Sequence, residues 1–366
     1  MLIFLITLFF LPLLHASEEK IYVVLLAGGG GTRLWPASTD AFPKQFLDFG
    51  TGESLLQKTI QRLLRFEHID EIAIATNADY ESLVRAQIEK FKGQTQISIL
   101  VEPSRKNTAP AIAYAVRYFS DKIDSDAPIL VVPADHLISP ELDWVHAVEE
   151  ILPTVAKGQI VTFGIQPTGP QTGFGYLELG APFDAATFEL NRFIEKPNLE
   201  TAQKLIESDR VFWNAGIFAF SPKTFWSEMQ KHCPEIYHLS SVSLEEMQWN
   251  FSQMPDLSID YALMEKTKQI VASPLQIIWS DIGSWDGLYE VLDKDENGNV
   301  VRGKVVGIDT KNSLLFSTGD RLIATIGLED LIIVETQDVL LICKREESQK
   351  IKALLQKLKS QEAIAK

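Results

Sequence analysis

Four consecutive glycines, Gly28 to Gly31, follow the short apolar run Ile21 to Ala27 and lead into Thr32, Arg33 and Leu34. A run of that length bounded by turn residues reads as a buried strand, so the chain must contain a strand that feeds a glycine loop. Glycines tolerate positive φ and put no Cβ between backbone N–H groups and an approaching anion, which makes the loop a cradle for polyphosphate oxygens. Arg33, and Lys44 after Pro43, place positive charge beside it. Two commoner phosphate loops do not fit. A Walker loop ends in Gly-Lys-Ser/Thr, where this chain has Gly31-Thr32-Arg33. A dinucleotide fingerprint begun at Gly28 needs glycine at Arg33, and one begun at Gly29 needs it at Leu34.

Past the loop, apolar spacing predicts a helix over Ser54 to Arg65, a strand over Glu71 to Thr76, a helix over Tyr80 to Phe91 and a strand over Ile97 to Val101. This βαβαβ order specifies parallel strands with crossover helices, and such sheets bind ligands beyond the carboxyl ends of their strands. A helix then runs to Tyr118, with Asn107 and Thr108 as candidate caps. Pro128 to Val132 forms a further strand ending in Ala134-Asp135-His136. Asp135 reads either as a turn former or as a carboxylate set to hold Mg2+ against phosphate oxygens, a reading the upstream glycine loop favours. His136 reads as orienting or structural rather than catalytic, with no nucleophile or base partner apparent.

A second segment starts near Gly158, with a strand over Ile160 to Ile165. The turn Thr172-Gly173-Phe174-Gly175-Tyr176 is either an ordinary hairpin or a backbone surface suited to sugar hydroxyls. Glu195, Lys196 and Asn214 carry donors, acceptors and charge but alone read as surface groups. Ser258 is expected to cap a helix in which Asp260 is a first-turn acid. From Gly298 to Lys344, short strands alternate with Asn, Asp and Gly, and three stretches beginning at Asn312, Asp330 and Asp338 look loosely repetitive. The expected fold is α/β: a Rossmann-like, mostly parallel sheet over 17–293, then a small β-helix-like unit and a lysine-rich terminal helix over 294–366.

Acidic residues outnumber basic ones 49 to 34, a net charge of -15, which weighs against nucleic acid as a partner. Cys233 and Cys343 lack metal-ligand spacing and read as thiols of a reducing compartment. Residues 1–16 form an apolar leader whose run to Leu14 spans about 21 Å as a helix, short of the roughly 30 Å bilayer core, so no stable transmembrane anchor is expected. The leader leaves export or membrane association open beside the favoured cytoplasmic location.

The stretches GGGGTRLWPAS and PKQFL resemble the signature of the sugar-phosphate nucleotidyltransferases, within them the mannose-1-phosphate guanylyltransferases. The resemblance continues in order through EPSRKNTAPAIA, PADHLI, TGFGYLELG, FIEKPN, FWNAGIFAF, SIDYALMEK and WSDIGSWDGLYEV, covering most of the chain. It implies that Ala27, Gly28, Gly29, Gly30, Gly31, Thr32, Asn107 and Asp135 contact the nucleotide. Gly173, Tyr176, Glu195, Lys196 and Asn214 are implied for the sugar phosphate, and Asp281 as a second Mg2+ ligand beside Asp135. The implied reaction joins GTP to mannose 1-phosphate, with Arg33, Lys44 and Lys196 as the catalytic cations. Longer relatives append an isomerase domain, so transferase activity alone is expected. Another nucleotide or hexose specificity, and a non-catalytic sugar-nucleotide-binding role, stay open. The β-rich tail makes a homo-oligomer a further expectation.

Overall fold

The computed structural model describes residues 20–364; the apolar leader lies outside them. Its first strand, β1 (Ile21–Leu26), is buried on both faces, which explains an apolar run without alternation. Val23 and Leu25 enter one hydrophobic core and Val24 the other, each with no exposed surface.

Parallel partners follow on either side. β2 (Ile69–Asn77) and β3 (Gln96–Glu102) extend the sheet one way, and β4 (Ile129–Pro133) the other. The crossovers are α1 (Leu55–Leu63), α2 (Glu81–Ile88) and α3 (Thr108–Ser120). A capping box at Ser54 and Gln57 starts α1. In register, Leu26 faces Pro133 and Asn77 faces Glu102, so the glycine loop, Asn77, Glu102 and Asp135 all leave the sheet at one edge.

The rest of the sheet is mixed. After β5 (Leu137–Ser139) and α4 (Glu141–Ala156) come β6 (Ile160–Ile165), β7 (Gly175–Pro182), β8 (Phe188–Glu195), β9 (Val211–Phe220) and β10 (Ile270–Leu275). The order is β3-β2-β1-β4-β9-β6-β10-β8-β7. β9 runs antiparallel to both β4 and β6, and β7 and β8 form an antiparallel arm. The parallel expectation thus describes the first half and the β6–β10 pair.

β11 (Ile278–Ser280) pairs with β5 and leads to the helix Trp285–Val291. The C-terminal unit stacks β12 (Val300–Arg302), β14 (Leu314–Ser317) and β16 (Leu331–Glu335) in parallel, with β13 (Val305–Ile308) beside β15 (Ile323–Ile326), a β-helix-like arrangement. Asn312 and Asp330, which begin two of the three similar stretches, occupy left-handed corners before successive rungs. The third repeat departs: Asp338 precedes β17 (Leu340–Lys344), which pairs antiparallel with β16 as a hairpin. The terminal helix is Ile351–Ile364. No helix among the described residues is long and apolar enough to cross a membrane.

Candidate active site

The glycine loop is held by its carbonyls. Gln45 Nε2 donates to the oxygens of Ala27 at 3.0 Å and Gly29 at 2.9 Å, Asn77 Nδ2 to that of Gly28 at 3.2 Å, and Ser38 Oγ to that of Gly31 at 2.7 Å. No hydrogen bond among the described residues takes up the N–H groups of Gly28, Gly29, Gly30 or Gly31. The carbonyls of Ala27, Gly28, Gly29 and Gly31 are thus engaged while the four glycine N–H groups stay available, the arrangement an anion requires. Gly31 is obligatory on two counts. It has φ +51°, and a Cβ there would stand 2.7 Å from Lys44 Cγ. Gln45, 2% exposed, is a clamp that sequence reasoning valued only as a family detail.

Lys44 packs against Gly31 and reaches the residues that leave β4 and β11. Its Nζ lies 3.0 Å from Asp135 Oδ2 and also donates to the main-chain carbonyl of Asp281. One ammonium group thus meets the carboxylate of Asp135 and the main chain, not the carboxylate, of Asp281, the other acid expected at a metal. Burial opposes the charge on Asp135, but the Lys44 ammonium outweighs it and holds the carboxyl below its usual range. The Asp281 carboxylate folds back to accept from the Gly283 N–H at 3.0 Å. Ile282 between them has φ +46° while fully buried, a conformation costing a β-branched residue about 1–3 kcal/mol. Arg33 is exposed and lines a recess with Thr32, Lys44 and Asp281.

His136 supports this edge. Trp279 Nε1 donates to its Nδ1 at 3.3 Å, which leaves the proton on Nε2, 3.9 Å from Asp135 Oδ1. Burial pushes the imidazole down to about 4, so it is neutral. Edge-to-face rings continue from His136 through Trp279 and Phe174 to Trp213. They connect the Asp135 edge to the turn before β7.

On the other side of the loop lies a cleft of about 310 Å3, bordered by Gly28, Asn77, Glu102, Arg105, Asn107 and Asp135. Asn107 does cap α3, its Oδ1 accepting from the Thr108 N–H at 3.0 Å, and it borders the cleft as well. Glu102 was not singled out from sequence. It is 6% exposed, and a Cβ on Gly28 would stand 3.1 Å from its Oε1. Burial raises its carboxyl to about 7. An acid at the end of a parallel strand was the available signal.

The third group sits where β7, β8 and β9 meet. Glu195, its side chain 5% exposed, pairs with Lys196 Nζ at 2.5 Å. Gly175 has no room for a Cβ, which would stand 2.6 Å from Glu195 Oε2. Asn214 is spent internally: its Oδ1 accepts from Thr162 and the Gly216 N–H, and its Nδ2 donates to Asp260 Oδ1 at 3.3 Å. Asp260, read from sequence as a first-turn acid, begins a single π-helical turn, Asp260–Met264. Burial, then the neighbouring Glu195, raises its carboxyl to about 6. Gly216 lies beside His136, which ties this group to the Asp135 edge. Gly173 meets no steric demand. Tyr176 is 1% exposed and its hydroxyl donates to the Gln171 carbonyl at 2.8 Å, so its side chain braces the turn from inside.

Comparison with known proteins agrees with this architecture. The nucleotidyl transferase family model matches residues 22–298, and the mannose-P isomerase/GMP-like β-helix model matches 303–358. A mannose-1-phosphate guanylyltransferase of Escherichia coli is 37% identical over 356 residues, covering 93% of this chain and 76% of that protein. Alginate biosynthesis protein AlgA of Pseudomonas putida is 37% identical over 350 residues, covering 92% and 71%. The solved structure of mannose-1-phosphate geranyltransferase from Thermus thermophilus superposes with a TM-score of 0.83 at 30% identity, over 93% of this chain and 99% of that one. The chain belongs to the nucleotidyl transferase family, alongside the mannose-1-phosphate guanylyltransferases.

Proposed function

We propose that this protein transfers GMP from GTP to α-D-mannose 1-phosphate, giving GDP-mannose and pyrophosphate. The observation that carries the reading is the glycine loop with the carbonyls of Gly28, Gly29 and Gly31 engaged and its N–H groups open, set beside Lys44 and Asp135. A phosphate oxygen of the sugar phosphate attacks the α-phosphorus in line and forms the new P–O bond. The bond from the α-phosphorus to the oxygen bridging to the β-phosphorus breaks, and pyrophosphate leaves with the electron pair. The attacking oxygen is already anionic, so no side-chain base is needed; catalysis is positioning and charge stabilisation.

In this reading Arg33 and Lys44 stabilise the departing pyrophosphate and Lys196 holds the incoming phosphate. Glu102 faces the base, where its carboxylate accepts from guanine N1–H and the 2-amino group, a donor pair that adenine does not present. Asp135 and Asp281 are hard oxygen donors at one edge, with Asp135 held ionised, and this set fits Mg2+. Bound there, Mg2+ would supply positive charge to phosphate oxygens. Glu195 and Asp260, positioned by Asn214, offer acceptors to mannose hydroxyls.

The test is pyrophosphate release by the full chain with a matrix of nucleoside triphosphates and hexose 1-phosphates. Release with GTP and mannose 1-phosphate well above every other pair is the expected result. Preference for another pair, or no release with any, overturns the proposal.

A further inference from the structure

We propose that Ile282 is a positioning residue for Asp281 and Lys44, and that the C-terminal β unit supplies its anchor. The Asp281 carbonyl that receives Lys44 Nζ lies in the peptide plane ending at the Ile282 nitrogen. The φ angle of Ile282 therefore sets how that carbonyl is aimed relative to the Ile282 side chain. That angle is +46°, which a β-branched residue adopts only when its surroundings enforce it.

The enforcement is visible. Ile282 has no exposed surface and belongs to a buried cluster with Leu34 of the phosphate loop, Trp285 and, from the β unit, Phe316, Ile332 and Val334. Trp285 and Phe316 rings lie 5.2 Å apart, and Trp285 Nε1 donates to the Trp35 carbonyl at 3.0 Å. Ser280 Oγ accepts from the Ile282 N–H at 3.0 Å and fixes the other side of the same plane. With the side chain held in this cluster, to which the β unit contributes, relaxation to negative φ would turn the Asp281 carbonyl away from Lys44. Lys44 would then keep only Asp135. The C-terminal unit, which contributes no group to the cleft bordered by the glycine loop, acts on the site through one strained residue.

The inference rests on the proposed reaction only for the turnover arm of its test. Three full-length variants are compared with the parent: Ile282→Gly, which permits the angle but deletes the anchor; Ile282→Val, which keeps a branched anchor; and Phe316→Leu in the β unit. Amide hydrogen exchange over residues 279–286 is measured without substrate, beside kcat, KM for GTP and the thermal midpoint. Ile282→Gly should speed exchange in that segment about 10-fold and lower kcat about 10-fold with KM for GTP nearly unchanged. Phe316→Leu should move both readouts the same way by less, and Ile282→Val should restore both toward the parent. Unchanged exchange in Ile282→Gly, or a fall in kcat that merely tracks the folded fraction, overturns the inference. If exchange responds as stated while the parent releases pyrophosphate from no substrate pair, the proposed function fails and the positioning role stands.

Discussion

Lys44 Nζ and Asp135 Oδ2 are 3.0 Å apart, with their side chains 13% and 24% exposed, and this pair ties the turn after Pro43 to the end of β4. Removing one partner strands the other in a partly desolvated site. Lys44→Met should cost about 2 kcal/mol of stability, below the fully buried case because part of Asp135 stays in water. Denaturant unfolding of Lys44→Met and of the Lys44→Met/Asp135→Asn double variant measures it. The double variant should recover much of the stability and none of the turnover. Equal stability of the two variants would mean that stranding Asp135 costs nothing.

Two neighbouring glycines should respond differently to alanine. Gly31→Ala meets both a left-handed φ and Lys44 Cγ, and should cost about 1–3 kcal/mol and depress turnover. Gly29→Ala meets nothing within 4 Å and should fold like the parent. Thermal midpoints and kcat of the pair check the contrast.

Glu102 should give GTP binding a pH dependence near neutrality. Its carboxyl is raised to about 7, so the protonated form, which loses an acceptor, grows as pH falls through 7. KM for GTP should therefore rise on going from pH 8 to pH 6, and Glu102→Gln should flatten that rise. The same group makes a stability statement with the opposite slope: the folded state holds its proton between about 4.5 and 7, so its contribution declines as pH rises through that window. Steady-state kinetics with GTP and inosine triphosphate, which lacks the 2-amino group, measures the base contact directly. Equal pH profiles for parent and Glu102→Gln would remove Glu102 from base recognition.

Lys196→Ala should act on the sugar phosphate. Loss of a charge-assisted contact is worth about 1.5–3 kcal/mol, or roughly 10–100-fold in KM for mannose 1-phosphate, with KM for GTP changed little. The same change leaves the buried Glu195 carboxylate without its ammonium partner, so a lowered thermal midpoint should accompany it. An effect on GTP alone would reverse the assignment of Lys196.

Much of the first half was legible because its signals are local. The burial of β1 on both faces follows from an apolar run, and the glycine loop and the βαβαβ order follow from spacing. Asp135 at the end of β4 follows from the rule that parallel sheets bind at their carboxyl edge. The β-helix-like tail was legible as a texture, yet the stretch at Asp338 turned back as a hairpin, since a rung and a return strand look alike in sequence.

What the residues determined by themselves is the type of each group and the strand end it leaves: glycines for open N–H donors, acids and lysines for phosphate chemistry. Which groups meet was decided by tertiary packing. Gln45 becomes a clamp only because two loop carbonyls reach it, Tyr176 becomes a brace because its hydroxyl is spent inside, and Asp260 gains its altered acidity from burial and Glu195. Lys44 finds Asp281 because a buried isoleucine holds a backbone angle that its own chemistry disfavours. Hydrogen bonds and charges act over a few ångströms of space whatever the separation along the chain, and only the folded chain sets those distances.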